Sequence, residues 1–408
     1  MERIRNQKHS KDTVYYSLSR MFERTSFYGI RGLLILYMSG EILKMDRSEA
    51  FKIYGVFAGA IVFSQIIGAL LGDLVIGNRK TIVIGGILQA LGAFSLCIPS
   101  IAGLYTGLVL VVLGSGFYTP NIISNFGKLY LSKTKLLDSG FTLFYLAVNV
   151  GSFLGVLLVV SAAEKFGTNV GFILSGILML LSVIPVLFAK VKVADQSISN
   201  ELTIGKRVIN ISIAFIVVAI FWQLYLISDF RSFFLKIQFS EISSLNIPKS
   251  LWHSANEIFV LPIGIIATVA WTYFYSTHFF KLMMGFIFGA ISIGFLILIP
   301  ETPTAQHTVF YVLSLVCLGI SEIHIAPILH SLLTKYLKPQ YLAIGISLTF
   351  VASRLIYGLS VLSYYKLYDK FYVNPLLGSK FAFITMTLMS IGLMGFVLWK
   401  KKASPKRE

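Results

Sequence analysis

The chain reads as a succession of apolar stretches, each about as long as the roughly 20 helical residues that cross a bilayer. Twelve can be marked, over 14–40, 51–73, 81–99, 102–127, 138–163, 168–190, 207–230, 248–275, 279–300, 306–333, 340–365 and 379–399. Short polar connections separate them, and the longest internal one, KVKVADQSISNELTIGKR (190–207), follows the sixth. The pattern predicts an all-α membrane protein of twelve transmembrane helices in two six-helix bundles. On this division 1–13 is a tail, 14–190 the first bundle, 191–206 a linker, 207–399 the second bundle and 400–408 a basic tail.

One stretch breaks the apolar rule. VYYSLSRMFERTSFYGIRGLLILYMSG (14–40) contains Arg20, Glu23, Arg24 and Arg31. At about 100° per residue Arg20, Arg24, Tyr28 and Arg31 share one stripe of the helix, with Glu23 at its edge. A charge in the bilayer interior is costly, and is kept mainly where it has a partner or lines a pathway. The stripe therefore faces protein or water. Arg354 in the eleventh stretch is a further intramembrane charge, expected to pair with Glu322, Asp229 or a helix-end carbonyl.

Composition narrows the class. Of 408 residues 56% are hydrophobic and 13% charged, and the mean hydropathy is +0.79; a soluble domain carries about a quarter charged residues. The net charge of +17 does not indicate nucleic acid, because most Lys and Arg fall in short connections rather than along a basic, aromatic stripe. With the N-terminus inside, the inner connections and tails hold 21 Lys/Arg and the outer loops 10, so both termini are expected in the cytoplasm. Cys97 and Cys317 lie far apart in apolar stretches and read as small core residues. No His/Asp/Glu cluster has metal-ligand spacing, so neither an enzyme nor a cofactor is expected. The polar, basic MERIRNQKHSKDT has no apolar core and does not read as a cleaved signal peptide.

Several motifs resemble one family, the proton-dependent oligopeptide transporters of the major facilitator superfamily. FERTSFYGIRGLLILYM (22–38) resembles its first-helix motif Glu-x-x-Glu-Arg-Phe-x-Tyr-Tyr-Gly. GDLVIGNRKT (72–81) resembles the superfamily's loop between helices two and three. GSGFYTPNIISNFG (114–127) and DSGFTLFYLAVNVGSFLG (138–155) resemble the signature pair of helices four and five. IPKSLWHSANEIF (247–259) and GISEIHIAPILHSLLTKYLKP (319–339) resemble the motifs of helices eight and ten. The resemblance implies proton-coupled symport of di- and tripeptides or related small zwitterions by alternating access, in a monomer of a bacterial inner membrane. It leaves open another anionic or zwitterionic solute (an amino acid, nitrate or a metal-chelating metabolite), or an uncoupled facilitator.

Expected roles follow. Arg24, with Tyr28 one turn away, can grip a carboxylate through two parallel hydrogen bonds. By resemblance Asn149, Asn256 and Glu322 hold the substrate's amino end, while Glu23 and Glu322 remain as coupling acids. Phe27, Phe144, Tyr145, Trp222 and Trp252 are candidates for adaptable side-chain pockets, and His253, His324 and His330 for proton relays. Asp73 beside Arg79 and Lys80, across a turn on Gly77, reads as a gating clasp, and Arg31 as a latch toward Asp229. Three positions depart from the family pattern. Arg20 stands where the motif begins with Glu, Thr119 precedes Pro120–Asn121 where a lysine is usual, and FWQLYLI (221–227) lacks the usual Phe-Glu-Gln. One reading is that Arg20 replaces the missing lysine of helix four. Its test is recovery, by lysine at 119, of uptake lost in Arg20→Glu.

Overall fold

The computed structural model of the chain describes residues 2–3, 8–190, 204–242, 255–351 and 370–403. These are almost wholly helical. The first half comprises α1 (Lys11–Ser39), α2 (Arg47–Val75), α3 (Asn78–Ser95), α4 (Ile101–Lys128), α5 (Thr134–Phe166) and α6 (Thr168–Phe188). The second comprises α7 (Ile204–Ile242), α8 (Ala255–Tyr273), α9 (His278–Leu298), α10 (Thr308–Tyr336), α11 (Pro339–Val351) and α12 (Pro375–Ala403). Among the described residues eight helices are long and apolar enough to cross a membrane. The charged α1 is not one of the eight, although its 29 residues match a span in length.

Local chemistry accounts for several of the ends. Asp46 caps α2 by accepting from the backbone N–H groups of Ser48 and Glu49, and Ser100 caps α4 through Gly103. Gly77, at φ +85°, makes the tight turn between α2 and α3. Pro120 sits inside α4 without ending it. The backbone widens to i→i+5 bonding over Leu71–Val75 and over Gly155–Val160, the kind of local bulge that often marks a functional stretch.

Contacts divide the chain into two compact units, one of 6–200 with 333–352, the other of 1–5, 201–332 and 353–408. In the first unit α1 packs against α5 and α6, and α4 against α2 and α3. Its core includes Ile30, Leu34, Tyr37, Phe57 and Phe172, while one side of α1 buries Ser19, Arg20, Glu23, Arg24, Thr25 and Ser26. In the second unit α9 packs against α12 and α7, with Leu235, Phe239, Leu296 and Tyr311 in the core. Large apolar side chains cover the outside of both, such as Val56 at 73% exposed and Ile266 at 69%. Buried polar groups inside an apolar exterior are what a bilayer solvent demands.

α7 is longer than the pattern predicted. It runs to Ile242 rather than ending near 230, because Arg231 does not face lipid. The guanidinium Nε donates to the Leu296 carbonyl at 2.9 Å, and its Nη2 donates to the Ile299 carbonyl, satisfying the last turn of α9.

Candidate functional site

The charged stripe of α1 forms a compact three-residue group inside the first unit. Glu23 lies fully buried between two arginines. Its Oε2 accepts from Arg24 Nε at 2.6 Å and from Arg20 Nη1 at 2.9 Å, while Oε1 accepts from Arg24 Nη2. Arg24 thus meets Glu23 with two parallel bonds and Arg20 with one. Arg20 Nη1 also donates to Thr119 Oγ1 at 3.2 Å, which places the guanidinium of α1 at the α4 position where the family pattern has a lysine. Arg20 Nε is buried and has no hydrogen-bond partner among the described residues. Two guanidiniums against one carboxylate leave the group with an excess of one positive charge.

Aromatic rings wall this group. Arg24 lies over Phe27 at 4.5 Å and Tyr28 at 5.7 Å from the ring centroids, and Arg20 lies 6.0 Å from Phe144. Such faces attract a guanidinium without neutralising it. Tyr118 Oη and Ser19 Oγ stand 2.5 Å apart beside it, and Ser19 donates to the Ser182 carbonyl, tying α1, α4 and α6 together. α5 lies close behind. A Cβ on Gly151 would stand 2.5 Å from the Met21 carbonyl oxygen and 2.7 Å from Arg24 Cβ, so only glycine admits this approach. Asn149, on the same helix, donates to the Tyr145 carbonyl of its own preceding turn.

The second unit holds an acidic counterpart. Glu322 is buried on α10, and Asn256 Nδ2 of α8 donates to its Oε1 at 3.2 Å. Asn256 Oδ1 is buried and without a partner among the described residues. Trp222 packs edge-on against Phe221 and Tyr225 of its own helix. Lys281, which the sequence did not single out, lies in the same unit near His324, one of the candidate relays. Lys281 is buried with Nζ 4.3 Å from the Trp271 ring centroid, and His324 meets Trp271 edge-on while its Nδ1 lies 2.7 Å from the Ile320 carbonyl. Only the spacing of Lys281 one turn inside an apolar helix hinted at it.

The loop after α2 closes differently from the expected clasp. Asp73 accepts from Asn78 Nδ2 at 2.9 Å and from the Ile344 backbone N–H at 2.9 Å, and Lys128 Nζ lies 3.9 Å away. Lys128 also donates to Asn78 Oδ1 at 2.6 Å, and Asn78 to Asn121 at 2.7 Å. Arg79 turns outward and donates to the Leu187 carbonyl. The cation facing Asp73 therefore comes from α4, 55 positions downstream, and the α11 backbone supplies the further donor. Arg31 is exposed and donates to Tyr54 Oη, while Asp229 is exposed on α7. Arg354, Trp252 and His253 lie outside the described residues.

With this geometry in hand, the chain can be set beside known proteins. A sequence model of the POT family matches residues 79–203. Over these residues the sequence is similar to that family. It is 32% identical over 220 residues to the uncharacterized transporter YclF of Bacillus subtilis, a match covering 52% of this chain and 44% of that protein. It is 38% identical over 174 residues to the peptide transporter YePEPT of Yersinia enterocolitica, covering 41% and 34%. The chain thus spans less than half the length of these relatives in the matched regions. A solved POT family transporter in complex with a thioalcohol-conjugated peptide superposes with a TM-score of 0.62 at 19% identity, covering 94% of this chain and 96% of that one. Another, in complex with 5-aminolevulinic acid, gives 0.60 at 19%, with the same coverage. The fold is the one these solved transporters share, and with eight apolar helices among the described residues the chain is an integral, multi-pass membrane protein.

Proposed function

We propose that this protein is a secondary transporter that moves di- and tripeptides, or small zwitterions of that kind, by alternating access with protons as the driving ion. One observation carries the reading. The first unit buries an excess cation with an unengaged donor at Arg20 Nε, and the second buries a carboxylate beside an unengaged acceptor at Asn256 Oδ1. Taken unit by unit, the donors suit a carboxylate and the acceptors an ammonium, and a zwitterion carries both. The kinship supports the same class, since YePEPT is named a peptide transporter and the solved neighbours hold a conjugated peptide and an amino acid derivative. Glu322 beside Asn256 takes the amine, and Asn149 contributes once it leaves the Tyr145 carbonyl.

Coupling on this reading uses Glu23 and Glu322. A proton on Glu23 weakens its hold on both guanidiniums and frees them for the substrate's carboxylate. The Asp73–Lys128–Asn78 cluster at the start of α11 acts as the gate, with both termini in the cytoplasm of a bacterial cell and a monomer as the working form.

The test is uptake of labelled dialanine into proteoliposomes, with and without an inward proton gradient. Gradient-stimulated accumulation is the expected result. Exchange that ignores the gradient marks a facilitator in which Glu23 stays locked between its arginines, and absence of dipeptide movement overturns the proposal.

A further inference from the structure

We infer that the seam between α9 and α12 is a binding site for one anionic phospholipid, with an acyl chain laid in the seam and the phosphate on Lys380. The inference is independent of the transported solute and needs only that these helices span a bilayer.

Helical spacing builds the seam. Ile291, Gly294, Phe295 and Leu298 lie on one face of α9, and Lys380, Phe383 and Ile384 on one face of α12. Where the two faces meet they leave an open groove of about 600 Å³. Gly294 supplies its depth, since a Cβ there would already stand 3.3 Å from the Phe383 ring. Leu298 and Ile384 are 62% and 58% exposed, so the groove opens to the outside of the bundle, where the solvent of a membrane span is hydrocarbon. From Ile291 to Leu298 it runs about 10 Å along the helix.

Charge selects the lipid. Lys380 is the charged residue of the lining, and no acidic side chain accompanies it. It is exposed and makes no hydrogen bond or ion pair among the described residues. Leu298 ends α9 and Lys380 comes one turn into α12, so the ammonium stands at the mouth of the groove, level with the helix ends. The 21 residues of α9 cover about the hydrocarbon thickness, which puts that mouth at headgroup depth. An unpaired ammonium above an apolar groove matches a ligand that is anionic at one end and aliphatic along the rest. A second copy of this chain fits less well, because a two-fold contact through this face would set one Lys380 against the other.

The test is native mass spectrometry of the full chain in detergent, titrated with dioleoyl phosphatidylglycerol or dioleoyl phosphatidylcholine. Wild type is expected to hold one phosphatidylglycerol about fivefold more tightly than phosphatidylcholine, the usual weight of one lysine at an anionic headgroup. In K380Q the two lipids should bind about equally. I384W fills the groove from an exposed position and should weaken both lipids about tenfold, the loss of about two buried methylenes, while keeping their ratio. K165Q, at an exposed lysine of the first unit, should leave the ratio at its wild-type value. Equal binding of the two lipids by wild type, or an undiminished ratio in K380Q, would mean that Lys380 only snorkels to water, and overturns the site. An equal fall of the ratio in K165Q would trace the preference to net charge and overturn it as well. Undiminished binding in I384W would place the lipid elsewhere, and a dimer that this variant turns into a monomer would give the face to a second copy; either result sinks the proposal. So does displacement of the phosphatidylglycerol by inorganic phosphate, which would mark an anion site that needs no acyl chain.

Discussion

At the scale of single residues the deciding feature is Glu23. Its carboxylate stabilises two cations that burial would otherwise leave exposed to each other, and no described lysine or arginine nearby could be lost without altering that balance. Removing one partner of a buried ionic group is costly because the charge left behind has neither water nor counter-ion. Glu23→Gln keeps the shape and one acceptor but leaves two guanidiniums unneutralised. It is expected to destabilise the protein by about 3–5 kcal/mol. The check is a lowered melting temperature of the purified full chain in detergent. A Glu23→Gln/Arg20→Gln double variant should recover part of the loss, because it leaves one buried guanidinium without a counter-charge instead of two. Equal stability of Glu23→Gln and wild type would mean that the two arginines find other counter-charges.

At the scale of elements, α1 is held in place by the glycine edge of α5. Gly151 and Gly155 bring the α5 backbone to within contact of the Met21 and Thr25 carbonyls of α1. The intruded atoms are backbone, so a larger side chain cannot be absorbed by rotating a neighbour. Gly151→Leu should cost at least the roughly 1–3 kcal/mol of overpacking and abolish uptake by displacing Arg24. Uptake and melting temperature both at wild-type levels would show that α5 can move away freely. The helices themselves were legible because apolar length is so direct a signal: 81–99 was expected for Asn78–Ser95, and 102–127 for Ile101–Lys128. The intramembrane charges of α1 were legible too, as one stripe with Glu23 at its edge, whereas the pairing of Arg20 with Glu23 at i, i+3 came from the structure. What could not be read was long-range geometry. Arg231 looked like the end of α7 because a linear pattern cannot see the α9 carbonyls that satisfy it. Lys128 looked like an ordinary loop cation, and Arg79 like the partner of Asp73, because three-dimensional proximity across α2 and α4 leaves no mark in spacing.

At the scale of the whole molecule, the proposed cycle is tested by the charge that it moves. On the proposed reading the solute is a zwitterion, which carries no net charge across the membrane. Any charge moved per cycle then belongs to the co-transported proton. If one proton accompanies each dipeptide, the cycle is electrogenic, and an inside-negative potential of 100 mV contributes about 2.3 kcal/mol to accumulation. That energy corresponds to a concentration ratio of about fiftyfold. Proteoliposomes given a potassium diffusion potential with valinomycin, at equal pH on both sides, should therefore concentrate dialanine toward that ratio. Collapsing the potential should return the ratio to one. A carrier whose Glu23 never releases its arginines would equilibrate dialanine at equal concentrations whatever the potential. The potential dependence thus separates a coupled cycle from a facilitator without relying on any pH-sensitive step in binding, since pH is the same on both faces throughout.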